Sequence, residues 1–322
     1  FLTNLNKPFV YDIISSRSLS YKELFIKSYS LSAFLKKKGI KKKEKIIVIT
    51  DNSLFKIIFL FCSIFDNYHL ILFDETENKK NIKNLIKKFK VDYIFINKKN
   101  LNIIDNKIRH IGDFFIVKNN KKFICLDNIE DEKIPDIKCF LKKFTINLYL
   151  PFLTILTSGT TGNAKGIIHN LDSLLNSAKN FNSFNKINNK CVMGHFFSMS
   201  YMAGILNTIV SPFLAGGKIV LFEKFHSLSG LTFWEKVISN NINYFWASPT
   251  MLSMVIKLNR YKGVRVYVKN NIKKIFIGTA QFPLKQKIYS KKLYLSKVFE
   301  SYGTTEDLLI SCENKNNQIN SS

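Results

Sequence analysis

The strongest constraint on the fold is a rhythm in the first hundred residues. Three short apolar runs, "KIIVIT" (45–50), "LILF" (70–73) and "DYIFI" (92–96), alternate with segments of helical spacing. The first such segment follows Ser20-Tyr21-Lys22-Glu23, which has the form of a capping box, and its Leu24, Leu31, Phe34 and Leu35 share a face until Gly39 closes it. The second runs from Leu54 to Phe65, and the third, "KKNIKNLIKKFK" (79–90), aligns Ile82, Leu85, Ile86 and Phe89. Continuous apolar strands separated by helices suit a largely parallel sheet with helices packed on it. The expected class is therefore α/β.

Between about residues 100 and 145 the rhythm loosens to isolated runs such as "KFICL" (122–126), and a lobe boundary is expected near Pro135 or Pro151. It then resumes. Strands are predicted at "LTILT" (153–157), "GKIVLF" (217–222), "INYFWAS" (242–248), "KKIFIG" (273–278) and "KVFESYG" (297–303), and helices at 171–184 and 231–239, with Pro249 placed to open another. The reading is two α/β lobes, 1–145 and 146–322, each a mostly parallel sheet flanked by helices. A chain of 322 residues that is 46% hydrophobic, with 29 Phe and 13 Tyr, has the apolar area for such cores.

A formal charge of +26 invites a nucleic-acid partner, but the composition of that charge argues against one. Only Arg17, Arg109, Arg260 and Arg265 are arginines among 49 basic residues, whereas readout of phosphates and bases favours the bidentate guanidinium. The lysines are scattered, and the densest run (36–43) falls where a helix ends and a strand begins. No specific nucleic acid is expected. Five cysteines, odd in number and far apart, lack the spacing of zinc or redox motifs, and no signal pattern precedes the first helix. The longest apolar run, Ile57 to Phe65, falls well short of the roughly 20 residues that span a bilayer. The expected setting is cytoplasmic, with no transmembrane segment.

The segment "TILTSGTTGNAKGIIHN" (154–170) has little side chain with which to build a core. Thr157, Ser158, Gly159, Thr160, Thr161 and Gly162 offer hydroxyls and backbone N–H groups that glycine leaves accessible, and Lys165 adds a mobile positive charge. Such a loop suits a polyphosphate. It is not a Walker loop, because Gly159 and Gly162 are three apart and Lys165 precedes Gly166; nor is Ser158 in a nucleophile elbow, because Leu156 stands where the first glycine would be.

"TSGTTGNAKG" (157–166) resembles the signature loop of the adenylate-forming superfamily, which includes acyl-CoA synthetases, peptide-synthetase adenylation domains and luciferases. Ala164 replaces the proline usual before the lysine, and His169 matches a histidine that follows the loop. "SYGTTED" (301–307) resembles the family's Tyr-Gly-x-Thr-Glu segment. By that resemblance Tyr302 lies on the adenine face, Gly303 belongs to the ATP-binding segment, Thr305 contacts the α-phosphate and Glu306 holds Mg²⁺. Weaker matches keep the family's order. "SMSYMAGILNTIVSPFLAGGKIVL" (198–221) resembles the helix and strand that wall the acyl pocket, with Tyr201 where histidine is common and Ser198 where proline is. "WASPTML" (246–252) resembles a Val-Pro-Thr-x-Leu segment, and "GTAQFP" (278–283), with Gly278, Thr279 and Ala280, the stretch near adenine and substrate. Tyr201, Met202, Ala203, Thr279 and Ala280 are the candidate pocket residues. His195 beside Phe196 and Phe197 is read as a packed histidine; His69 and His110 match nothing.

The resemblance implies the large N-terminal domain of the adenylate-forming fold and ATP-dependent activation of a small-molecule carboxylic acid, with Lys165, Thr305 and Glu306 as the catalytic groups. The adenylate would pass to the thiol of CoA or of a carrier protein's phosphopantetheine. It also implies a ribose-binding aspartate, a hinge and a C-terminal lid after Glu306, which these 322 residues do not contain; with Phe1 at the start, the sequence is expected to be a fragment. Two other readings stand beside this one: an ATP- or adenylate-binding protein that lacks the lid and does not turn over, and a basic nucleic-acid or membrane-surface binder that inherited the fold.

Overall fold

The alternation builds two sheets, each in its own unit. The computed structural model describes residues 5–73, 86–91, 93–99, 113–118, 122–126, 129–134, 137, 140, 146–157 and 165–313. One unit takes residues 5–8 and Leu19–Ser173; the other takes Phe9–Ser18 and the chain from Leu174 on. The division therefore falls at 173/174, not at 145/146, and the reason lies in strand pairing.

Strands β1 (Pro8–Asp12) and β2 (Arg17–Ser20) lead into helix α1 (Tyr21–Lys37). The capping box forms as the sequence predicts: the Ser20 N–H and hydroxyl each lie 2.7 Å from Glu23 Oε2, and the Glu23 N–H donates to Ser20 Oγ at 3.1 Å. Gly39 ends the helix with φ +84°. Then come β3 (Lys45–Ile49), α2 (Leu54–Asp66), β4 (His69–Phe73) and β5 (Tyr93–Asn97). Ser53 caps α2 by accepting from the Lys56 N–H at 3.1 Å, and Asn67 closes it at φ +53°. Of the helix expected over 79–90, residues 86–89 are helical and 79–85 lie outside the described residues.

The stretch read as a loose connection adds β6 (Phe114–Lys118) and β7 (Lys122–Cys125), an antiparallel pair beside β5. Phe115, Ile116 and Val117 are all buried there. On the other side β8 (Pro151–Thr157) pairs parallel with β4, and β9 (Lys165–Asn170) turns back antiparallel to it. The order is β7-β6-β5-β3-β4-β8-β9, four parallel strands closed on both flanks by antiparallel ones. The segment 151–170 thus belongs to the first sheet, because Leu153 and Ile155 complete the layer begun by Leu70 and Leu72.

His69 is locked into this sheet, 8% exposed, with Nε2 2.6 Å from Thr154 Oγ1 of β8. Burial, helped by the charge of Lys45, pushes its pKa down to about 4. The unfolded chain then binds the proton first. The contribution of His69 is present above pH 6.5 and is lost as pH falls toward 4, about 2 kcal/mol between pH 7 and 5. Urea unfolding of wild type and His69→Gln at those two pH values checks this; the pH difference should shrink by that amount in the variant. The lowered carboxyls of Glu23 and Glu313 add losses only below about pH 4.5, where model carboxylates titrate.

In the second unit β1, β10 (Val192–His195), β11 (Lys218–Leu221), β12 (Tyr244–Ala247), β13 (Lys274–Ile277) and β14 (Val298–Thr304) run parallel, and β15 (Leu308–Cys312) returns antiparallel to β14. The order is β15-β14-β13-β12-β10-β11-β1-β2. Helices α3 (Leu171–Asn185), α4 (Ser229–Ser239), α5 (Pro249–Leu258), α6 (Val264–Asn270) and α7 (Leu284–Leu293) connect the strands. Both faces of β12 are covered, as alternation demands: Phe245 and Ala247 join a core with Phe196, Phe233 and Trp234, while Tyr244 and Trp246 join Phe181 and Phe276 on the other side. Aromatic rings fill these layers, with Phe196 stacked on Phe222 at 4.5 Å and Phe233 edge-on to Phe245 at 5.2 Å. Pro249 does open α5, capped by Ser248 Oγ accepting from the Met251 N–H at 3.1 Å. The helix expected after Tyr201 is a π-helix (Ala203–Val210), whose i→i+5 pattern is seen in the Ser211 N–H donating to the Leu206 carbonyl.

Candidate functional site

Because the strands from β1 to β14 are parallel, their C-terminal ends share one edge of the sheet, the edge at which open α/β sheets bind ligands. Ile277 at the end of β13 lies opposite Glu300 of β14, so Gly278 sits beside Ser301. A Cβ at Gly278 would stand 2.9 Å from the Ser301 carbonyl oxygen, which explains why glycine occupies this position. Thr279 follows with φ +71°, a left-handed conformation costly for a β-branched residue, and Thr279 and Ala280 are both exposed.

One strand over, β14 bulges between Tyr302 and Gly303. Tyr302 is 59% exposed, so its ring is offered as a face and not used as core. A Cβ on Gly303 would collide with the Leu308 carbonyl oxygen. Residues 305–307 form the turn to β15, fixed by Thr304 Oγ1, which accepts from the Asp307 N–H at 2.9 Å and lies 3.2 Å from its carboxylate. Thr305 is half-buried and Glu306 exposed at the tip. The ends of two adjacent strands thus carry the candidate residues, Gly278, Thr279 and Ala280 after β13 and Tyr302, Gly303, Thr305 and Glu306 along the end of β14 and its turn.

The other candidate pocket residues follow the end of β10, two strands from β13. Tyr201 is 61% exposed, Met202 is buried and Ala203 half-buried. Their backbone is held close: a Cβ on Gly204 would overlap the Ser198 carbonyl oxygen. His195 is fully buried, with Nδ1 2.6 Å from Thr208 Oγ1, and Thr208 donates to the Gly204 carbonyl at 2.8 Å. It ties β10 to the π-helix.

The hydroxyl-rich loop belongs to the other unit. Thr157 ends β8 and is in register with Lys165, which begins β9, and Thr157 Oγ1 donates to the Lys165 carbonyl at 3.4 Å. Lys165 is exposed. Ser158, Gly159, Thr160, Thr161 and Gly162 lie outside the described residues. At the loop's foot a Cβ on Gly166 would come within 2.9 Å of the Phe89 ring and of the Thr154 methyl. His169 is buried in register with Leu153.

The donors suit the groups expected. An exposed glutamate at a strand-end turn is a hard oxygen ligand, and Mg²⁺ takes one or two such carboxylates together with phosphate oxygens. Among the described residues no group of three or more His, Cys, Asp or Glu side chains is placed to hold a metal by itself. The Tyr302 ring and the glycine-lined approach suit a base and a phosphate. A cleft of about 220 Å³ lined by Ile256, Tyr261, Val264, Leu293 and Tyr294 lies elsewhere, among residues at the end of α5 and just ahead of β13 and β14. Sequence reasoning did not single out the Thr279 conformation or the close approach at Gly204; glycine at 204 was the available signal.

Comparison with known proteins bears on the family and the fold. The family model described as AMP-binding enzyme matches residues 3–322. Gramicidin S synthase 2 of Brevibacillus brevis is 21% identical over 298 residues, which is 92% of this chain and 6% of that protein. The malonate–CoA ligase of Bos taurus is 27% identical over 168 residues, 48% of this chain and 28% of the ligase. The chain thus spans well under a third of these relatives. The solved structure of ATP-bound MatB from Rhodopseudomonas palustris superposes with a TM-score of 0.78 at 14% identity, covering 97% of this chain and 60% of that one. That of the o-succinylbenzoate CoA synthetase of Bacillus subtilis with its acyl-adenylate intermediate gives 0.78 at 14%, covering 98% and 60%. The fold is that of the large N-terminal domain of these enzymes, and the chain belongs to the AMP-binding, adenylate-forming enzyme family.

Proposed function

We propose that the protein activates a small carboxylic acid with ATP and transfers the acyl group to a thiol. The observation that supports this is the pair of adjacent strand ends, β13 running into Gly278 and Thr279 and β14 into Tyr302, Gly303, Thr305 and Glu306, with no room for a side chain at either glycine. In the first step a carboxylate oxygen attacks the α-phosphorus, the bond to the bridging oxygen breaks, and pyrophosphate leaves with the electron pair. Tyr302 positions the adenine, Thr305 the α-phosphate, and Lys165 with the loop hydroxyls the departing phosphates. Glu306 would hold Mg²⁺, which supplies neutralisation of phosphate charge when bound. In the second step a thiol, of CoA or of a carrier pantetheine, attacks the acyl carbonyl and releases AMP. These steps are positioning and electrostatics and need no covalent enzyme intermediate.

The acid is proposed by class only. Exposed Tyr201, buried Met202, half-buried Ala203 and exposed Thr279 carry no charge, which favours an aliphatic or aryl acid over one with a charged tail. The test is carboxylate-dependent exchange of labelled pyrophosphate into ATP, run on native protein from its source cells against a panel of aliphatic, aryl and amino acids. Exchange with an aliphatic or aryl acid supports the reading. ATP binding with no exchange for any acid would replace it with a binding role, and no ATP binding would end both.

A further inference from the structure

Helix α7 buries one of its lysines while exposing part of its apolar surface, although Lys285 and Lys292 stay exposed and Leu293 is half-buried. Its Leu284, Ile288 and Tyr289 are 64, 43 and 55% exposed, whereas Lys287 is only 9% exposed. The ordinary outcome would bury the apolar stripe and leave the lysines in water. An ion cluster holds Lys287 the other way. Lys287 Nζ donates to Glu300 Oε2 at 2.6 Å and pairs with Glu313 Oε1 at 2.5 Å, and Lys291 Nζ lies 3.1 Å from Glu313 Oε2. Backbone bonds complete it: the Glu300 N–H donates to Glu313 Oε2 at 3.0 Å and the Glu313 N–H to the Glu300 carbonyl at 2.8 Å.

Burial opposes the charge on Lys287, but its hydrogen bonds to Glu300 and Glu313 outweigh burial and raise its pKa. Burial likewise opposes the charge on Glu313, yet bonds from the Glu300 backbone, Lys287 and Lys291 hold its carboxyl below the usual range. The cluster is ionised on both sides. Such clusters add little net stability compared with apolar packing of the same volume, so geometry is the better account of this one. Glu300 and Glu313 face each other across the open end of the β14–β15 hairpin, whose closed end carries Tyr302, Thr305 and Glu306. β13 and the Ser301 hydroxyl, which donates to the Ser311 carbonyl at 3.1 Å, also hold the hairpin, but its ladder is interrupted by the bulge at Tyr302/Gly303 and β15 is the edge strand, so the clamp at its open end supplements an irregular pairing.

We propose that Lys287 is a positioning residue for the nucleotide site: by clamping Glu300 and Glu313 it sets the direction in which the hairpin presents Tyr302, Thr305 and Glu306. This rests on the ATP reading above. The test measures ATP affinity by calorimetry on the folded protein, and hydrogen exchange of amides 302–309, in wild type, Lys287→Met, Lys287→Arg and Glu300→Gln. Lys287→Met should weaken ATP binding about tenfold and speed exchange at the hairpin, with Lys287→Arg restoring both to within about twofold. A merely structural lysine would lower the melting temperature without changing the affinity of the molecules that remain folded. If Lys287→Met does not fold, Glu300→Gln, which leaves Lys287 paired with Glu313, should still weaken binding about threefold. Unchanged affinity in a folded Lys287→Met, or in Glu300→Gln where the former fails, overturns the proposal. Wild type that does not bind ATP overturns the ATP reading instead, and hairpin exchange then still decides whether the clamp operates.

Discussion

Lys165→Ala is expected to cut carboxylate-dependent pyrophosphate exchange about a hundredfold, the usual cost of removing one preorganised group from developing charge. The variant should fold normally, because Lys165 is exposed and the bond it accepts from Thr157 Oγ1 is made by its backbone carbonyl, which alanine keeps. Position explains the size of the effect. Lys165 is the first residue of β9, in register with the last residue of β8, so its backbone is fixed at the foot of the loop while its side chain is exposed. Lys165→Arg retains the charge on a bulkier planar head and should recover part of the rate. Ground-state ATP affinity should change less than the exchange rate, because the charge on the leaving pyrophosphate grows in the transition state. Exchange at the wild-type rate in Lys165→Ala would remove the loop from the mechanism.

The legible parts of this molecule are those where local chemistry and tertiary demand coincide. The Ser20–Glu23 capping box, the Pro249 helix start and the buried strands 45–49, 244–247 and 274–277 follow from neighbours in sequence alone. The β6–β7 pair was not legible, because its apolar core of Phe115 to Val117 is short and its partners, the edge of β5 and a core shared with Ile47, Ile49 and Ile71, lie some twenty to seventy residues earlier. The contact boundary at 173/174 is hidden for the same kind of reason. Pairing of β8 with β4 across some eighty residues, and of β1 with β11 across about two hundred, leaves no trace in local composition. At the site, residue types could be read but not their constraints. Nothing near Thr279 announces a left-handed threonine, and the burial of Lys287 is invisible until Glu300 and Glu313 are seen beside it.

Gly303→Ala should weaken ATP binding at least tenfold and destabilise the second unit by about 1–3 kcal/mol, the range for forcing a group into a filled space. The added methyl would collide with the Leu308 carbonyl, and Leu309 Cα stands only 3.4 Å away, so the atoms that must yield are backbone, not a flexible side-chain end. The bulge beside Gly303 is where the hairpin would open to make room, and that would displace Thr305 and Glu306 in the turn that follows. Gly39→Ala separates this from a general cost of glycine replacement. Gly39 has φ +84° with nothing within 4 Å of a built Cβ, so alanine there meets only left-handed strain of about 1–2 kcal/mol. It should lose stability and keep its ATP affinity, whereas Gly303→Ala should lose both. Calorimetric ATP titrations and urea unfolding on the two variants read each quantity separately. Equal ATP affinity in both variants and wild type would mean that the turn at 305–307 does not touch the nucleotide.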